Sequence, residues 1–312
     1  MSAPGNPAVL HLVWGPLGPD PLRTFVRSYR ERDAGATHDL VVVFNGVQDG
    51  ARNRLLSELE GTRHRLIELE RPVLDLVAYA QACAMIDHSR VCVLNSHSRL
   101  RADGWLASLE GALRGPGVGL AGASGSWASM RSYALYHLRL PSAYRRVWPE
   151  RGAALAELRA IDDERRGAAA PGGPLSHLYT LAALLDMARG FPTFPAAHIR
   201  SNAFMIERAL LTRILSARMR RKADTHRLES GSHSLTTQVR AAGLGALVVD
   251  RSGRSFEVAD WPESESFWQG DQRGLMVADN QTDSYARGDL QRRRILAGYA
   301  WGQRGAAEPP SA

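Results

Sequence analysis

The sequence predicts an α/β protein with one mostly parallel central sheet flanked by helices. Two observations carry that expectation. Through the first 121 residues, short apolar runs alternate with stretches of helical period, and the runs close on turn-forming residues. A strand buried on both faces of a parallel sheet reads as such a continuous run rather than as an alternating one. Strands separated by helices at this spacing imply right-handed crossovers within one sheet.

The elements follow in order. Residues 9–14 read as a buried strand, a Gly-Pro turn follows, and residues 22–32 form a helix. A second strand at 40–44 ends on the turn signal Asn45-Gly46. A short helix at 52–60, a third strand at 66–69 and an amphipathic helix at 74–86 come next. A strand at 91–94, a helix at 105–113 and a strand at 118–121 complete the regular half. A segment rich in Arg, Tyr and Ala then reads as a helical insertion over about 131–190. Beyond it lie a strand at 199–206, a helix at 235–242 and a strand at 247–249. The expected organisation is one domain over 1–302, an irregular C-terminal segment and a disordered tail over 303–312. In sheets of this kind ligands bind beyond the carboxyl ends of the strands, where strand order switches. Those ends are Gly15, Asn45, residues 70–75 and residues 95–98.

Composition narrows the function classes. Formal net charge is +7 over 312 residues, almost all of it from arginine, since Lys222 is the only lysine. A basic surface suits phosphorylated ligands, anionic lipid or nucleic acid. The arginine clusters lack the interleaved aromatics of single-strand binding platforms, so nucleic acid is not expected. No apolar run is long enough to span a bilayer, and the N-terminus lacks a signal-peptide pattern. Cys83 falls in a helical stretch and Cys92 in a strand, which argues against a disulfide and for a reducing compartment. A cytoplasmic setting is expected, with peripheral association at the inner face of a membrane. No Gly-X-Gly-X-X-Gly follows Trp14 at the end of the first strand, which counts against a Rossmann dehydrogenase, and no Walker loop or Gly-X-Ser-X-Gly elbow is present, so P-loop and serine-hydrolase readings fall away.

The stretch VCVLNSHSRLRADGWL, residues 91–106, resembles the central segment of family-2 glycosyltransferases. There a buried strand ends in a short acidic motif, followed by a turn and a Gly-Trp-Leu helix start. Residues 117–126, GVGLAGASGS, resemble the next strand of that family, and residues 199–206 fall where its acceptor-side strand would be. The resemblance spans about residues 8–250 and is most specific at 94–106. It implies a GT-A fold, a nucleotide-sugar donor and a glycan or lipid-linked acceptor.

The same resemblance assigns candidate residues. In the family, acidic residues at the strand end hold a divalent cation against the donor diphosphate. Here the positions read Asn95, Ser96, His97 and Ser98, with no carboxylate. Such a set is weak for Mg²⁺; His97 as a metal ligand would favour Mn²⁺. The plain alternative is a polar turn in which Asn95 and Ser98 satisfy local backbone groups. Asn45 stands in place of the family's acidic turn at the second strand. Asp75 either binds donor hydroxyls or caps the helix that it opens. Arg273, in a polar and aromatic stretch, is the candidate cation for the diphosphate. Glu229, read as preceding the helix at 235–242 and followed by Gly231, is the candidate general base of an inverting transfer. The alternative makes it structural, with Ser232 as the helix cap. The sharper departure at 95–98 leaves a second function class open, an inactive relative that binds a nucleotide sugar or glycan.

Overall fold

A computed structural model describes residues 5–132, 185–215 and 222–306 of the chain. Most of the helical insertion expected at 131–190 lies outside those residues, as do 307–312. Residues 303–306, expected to belong to a disordered tail, lie in a 3-10 helix, Gly302–Ala306.

Strands β1 (Ala8–Trp14), β2 (Asp39–Asn45), β3 (Arg65–Glu68) and β4 (Arg90–Leu94) alternate with helices α1 (Asp20–Glu31), α2 (Asp49–Glu58) and α3 (Asp75–Ala84). After β4 come β5 (Arg99–Leu100), α4 (Trp105–Leu113), β6 (Val118–Gly122) and β7 (Gly125–Ser126). The chain is described again through β8 (His198–Ile199), β9 (Ala203–Glu207) and α5 (Arg208–Leu215). Helices α6 (Lys222–Ser230) and α7 (Leu235–Ala241) lead to β10 (Gly245–Val249), β11 (Ser255–Phe256) and β12 (Val277–Ala278). Helices α8 (Asn280–Ala286) and α9 (Leu290–Trp301) close it, so the region past Asp250 is more regular than its sequence period suggests.

Eight strands form one sheet in the order β11-β10-β6-β9-β4-β1-β2-β3. All run parallel except β9, antiparallel to both β4 and β6, and the edge strand β11. Side-chain alternation explains why the central strands are apolar on both faces. On β1, Leu10 and Leu12 enter a core shared with α3, α5 and α9. Val9 and Val13 enter the opposite core with α1 and α4. Both faces are therefore covered, as a parallel sheet requires. Cys83 and Cys92 are buried free thiols, and burial raises the ionisation of both, Cys83 to about 11.

One expectation is corrected in detail. Residues 199–206 are two short strands in different sheets, separated by a turn at Arg200, Ser201 and Asn202. The polar triplet interrupts the apolar run, and that turn reaches the functional end of the sheet.

Candidate functional site

Strand order reverses between β1 and β4, whose carboxyl ends open one crevice. The Trp14 backbone N–H crosses that point and donates to Ser96 Oγ at 3.1 Å. Beside it, the loops after β1 and β2 touch closely. A Cβ on Gly15 would stand 2.4 Å from the Gly46 carbonyl oxygen, so only glycine permits this approach.

Asn95 opens a compact Asx-type turn. Its Oδ1 accepts the His97 backbone N–H at 2.9 Å. The single proton of the Ser98 hydroxyl lies between the Asn202 carbonyl at 2.6 Å and Asn95 Oδ1 at 3.1 Å. Asn95 N–H donates to the Asn202 carbonyl at 3.3 Å, joining the turn to the start of β9. The polar-turn reading of these residues therefore holds, at the same place where the donor site is expected. The donor set does not fit a divalent cation: the Asn95 oxygen is already occupied and no carboxylate stands with it. Among the described residues no three His, Cys, Asp or Glu side chains gather as a metal site.

Asp75 is the first residue of α3, and Leu74 occupies the cap position without a side-chain cap bond. One turn on, Tyr79 donates from its hydroxyl to the Leu94 carbonyl, 3.2 Å away at the end of β4. Its ionisation is pushed well above the ordinary tyrosine value, first by burial and then by the charges of Asp75 and Glu229. One phenol thus feels both carboxylates.

Glu229 sits in the last turn of α6, not ahead of α7 as the sequence reading had it. Ser234, rather than Ser232, caps α7, accepting the Thr237 N–H at 3.2 Å. Between them the chain turns through Gly231, where a Cβ would meet the Arg227 carbonyl oxygen at 2.5 Å. Ser201 donates its hydroxyl to Glu229 Oε1 at 2.7 Å. The carboxylate is half-buried, held from the β8–β9 turn.

That turn is clamped on both sides of Ser201. Arg200, 8% exposed, lies 2.6 Å from Asp279 Oδ2, reaches Ser124 and Gln281, and stacks 3.9 Å from the Phe267 ring centroid. Asn202, also buried, accepts the Ser124 hydroxyl at 2.7 Å and donates to the Val277 carbonyl at 3.0 Å. Asp279 additionally caps α8 through Oδ1. The C-terminal segment therefore braces the site.

One candidate, Asn45, is placed differently from expectation. Asn45 is wholly buried, and both ends of its amide are bound to the backbone of Val73, at 2.8 and 2.9 Å. It pins the crevice wall and has no surface to offer a ligand, because an unpaired amide there would be costly to bury. Arg273 has a side chain 66% exposed, 3.7 Å from Asp271. Its loop is rigid: Glu265, Trp268 and Gln272 all have positive φ, and Phe267 and Trp268 stack at 4.4 Å. His97 is half-buried between the Asn95 turn and β5.

Ser201, Tyr79, Arg200 and Asn202 were not singled out from the sequence. The signal that was available is the polar triplet at 200–202 inside an apolar run.

Fold and crevice together define an α/β protein with a mostly parallel eight-stranded sheet and a crevice at the carboxyl ends of β1 and β4. No protein-family model matches the chain, and no curated protein matches it in sequence. Among solved structures, it is similar to the mannosyltransferase PcManGT from Pyrobaculum calidifontis in complex with GDP-Man and Mn²⁺. The identity is 15%, the TM-score 0.43, and the match covers 96% of this chain and 71% of that one. A second is glucosyl-3-phosphoglycerate synthase from Mycobacterium tuberculosis with Mn²⁺, UDP and glucosyl-3-phosphoglycerate. Its identity is 12% and its TM-score 0.36, over 78% of this chain and 84% of that one. HddC from Yersinia pseudotuberculosis matches at 12% identity and TM-score 0.35, over 66% and 79% of the two chains. Similarity at this level identifies no donor, acceptor or metal.

Proposed function

We propose that this chain is a glycosyltransferase that moves a sugar from a nucleoside-diphosphate donor to a glycan or lipid-linked acceptor, with inversion. The observation that carries the reading is the placement of Glu229. It is a half-buried carboxylate oriented by Ser201, and its charge acts on the same Tyr79 phenol as that of Asp75. In this reading the donor lies over the β1–β4 switch, with its diphosphate near Asn95 and His97 and its nucleoside toward Asp75. Arg273 supplies cationic charge from the C-terminal loop.

Glu229 takes the proton of the acceptor hydroxyl. The acceptor oxygen bonds to the anomeric carbon from the face opposite the diphosphate, and the bond from that carbon to the diphosphate oxygen breaks. Its electron pair leaves with the nucleoside diphosphate, and the proton remains on Glu229. Because the residues at 95–98 do not fit a divalent cation, no step is assigned to one. A lipid-linked acceptor would bring the basic protein to a membrane surface. No helix among the described residues is long and apolar enough to cross a membrane.

The same turn supports a second reading, a nucleotide-sugar-binding relative without turnover, since Asn95 is occupied within its own loop. One experiment separates the two. UDP-, dTDP- and GDP-sugars are offered with a glycan acceptor panel, and nucleoside diphosphate release is measured for the parent and for Glu229→Gln. Loss of a general base lowers turnover by about a hundredfold to ten-thousandfold, so the variant should lose turnover while keeping nucleotide binding. Binding without turnover by the parent supports the second reading. Full turnover by the variant removes Glu229 as base and makes Asp224 and His233 the next candidates.

A further inference from the structure

We propose that Ser201 is the positioning residue for Glu229, and that the buried Arg200–Asp279 pair sets its position. This rests on the glycosyltransferase reading and extends it to a residue outside the motif region. Three observations support it. The Ser201 hydroxyl donates to Glu229 Oε1 at 2.7 Å, a short charge-assisted contact. Glu229 comes from the end of α6, where helix termini are the least constrained part of a helix, so an external contact is needed to fix its carboxylate. Ser201 itself cannot drift, because both neighbours are locked in buried networks. Arg200 is held by Asp279, Gln281, Ser124 and the Phe267 ring, and Asn202 by Ser124 and the Val277 carbonyl.

The chemistry follows from the geometry. The Ser201 hydrogen bond fixes the direction in which Oε1 points. Rotation of the carboxylate about its last bond is restricted as well. Orientation of a base within hydrogen-bond reach is what makes proton transfer efficient. The bracing runs from the C-terminal segment through a buried ion pair and Ser201 to the Glu229 carboxylate. It thereby gives Phe267 and Asp279, otherwise simply packed residues, a role in the reaction.

The test is a double-mutant cycle on turnover with the donor and acceptor selected above, using Ser201→Ala, Glu229→Gln and the double variant. Loss of a hydrogen bond to a charged group lowers kcat in Ser201→Ala by about tenfold to a hundredfold, with the donor KM little changed. The acid limb of its pH–rate profile moves to higher pH, because the lost bond favoured the ionised carboxylate. Ser201→Thr, which keeps the hydroxyl, restores most of the rate. In the Glu229→Gln background, Ser201→Ala has no further effect, the signature of a residue that acts through another. An additive loss in the double variant overturns the proposal and leaves Glu229 as base intact. A Ser201→Ala enzyme with parent kcat and parent pH profile overturns it as well. Unchanged turnover in Glu229→Gln, or none by the parent with any donor, refutes instead the functional reading beneath it. Melting temperatures measured in parallel show whether any loss comes from unfolding; a rate loss that tracks melting temperature and is not restored by Ser201→Thr counts against positioning.

Discussion

Replacing Asp279 by Asn tests the brace behind the site. Arg200 and Asp279 side chains are 8% and 2% exposed, and their closest N–O distance is 2.6 Å. Asn retains a side-chain oxygen able to cap α8, and Asn is as good a cap as Asp, so the helix start survives. What is lost is the charge opposite the Arg200 guanidinium, which keeps its positive charge in a dry environment. Removing one partner of a buried ion pair costs about 3–5 kcal/mol. The remaining contacts of Arg200 with Ser124, Gln281 and Phe267 offset part of that, which points to the lower end, about 3 kcal/mol. Urea unfolding should show the midpoint falling at constant slope, and the melting temperature should drop by roughly 6 °C. Arg200→Met in the same background should recover much of the loss, because an apolar side chain of similar length leaves no charge to satisfy. A loss for Asp279→Asn of under about 1 kcal/mol, within the range of exposed pairs, would refute the claim that this pair braces the β8–β9 turn.

Two further outcomes follow from the structure. His11 is wholly buried, stacked 3.6 Å from Phe25, with neither ring nitrogen partnered, and burial lowers its pKa to about 3. Its folded pKa is below the unfolded value, so the unfolded chain binds the extra proton and stability falls as pH drops below about 6.5. The expected loss is about 2 kcal/mol between pH 7.5 and 5 from this residue alone. His11→Leu should be flatter over that range in urea titrations, and a parallel pH dependence would contradict the assignment. Because the turn at 95–98 lacks a fitting ligand set, nucleoside diphosphates should raise the melting temperature equally with and without EDTA. Stabilisation that appears only with millimolar Mn²⁺ or Mg²⁺ would place ligands elsewhere.

The sheet was legible because the central parallel strands β1, β2, β4 and β6 are covered on both faces and are apolar along most of their length. The C-terminal region was not. Helices α8 and α9 tie their polar side chains into tertiary hydrogen bonds: Gln281 and Asp283 accept from Arg200 and Arg99, and Arg293 donates to the Tyr285 and Ala286 carbonyls. Their stability is tertiary, which no period along the chain records. At the proposed site, Asp75, Asn95 and Glu229 could be singled out because strand ends and helix termini stand out in the sequence. Asn45 was misread since a wholly buried amide and a ligand-binding one look alike in sequence. Glu229 was assigned to the wrong helix because Ser230, Ser232 and Ser234 are all acceptable caps and only packing selects Ser234. Ser201 escaped notice because its partner lies 28 residues away and no local pattern links them.

The crevice at the carboxyl ends of β1 and β4 is the proposed binding site for a nucleoside diphosphate. A crystal structure of the protein soaked with millimolar UDP or GDP, without added metal, measures this directly. The predicted result is a diphosphate within hydrogen-bond distance of the turn at Asn95–Ser98, with the nucleoside toward Asp75 and the Glu229 carboxylate still joined to Ser201. A nucleotide bound at any other surface, or an empty crevice at a concentration that stabilises the fold, would contradict it.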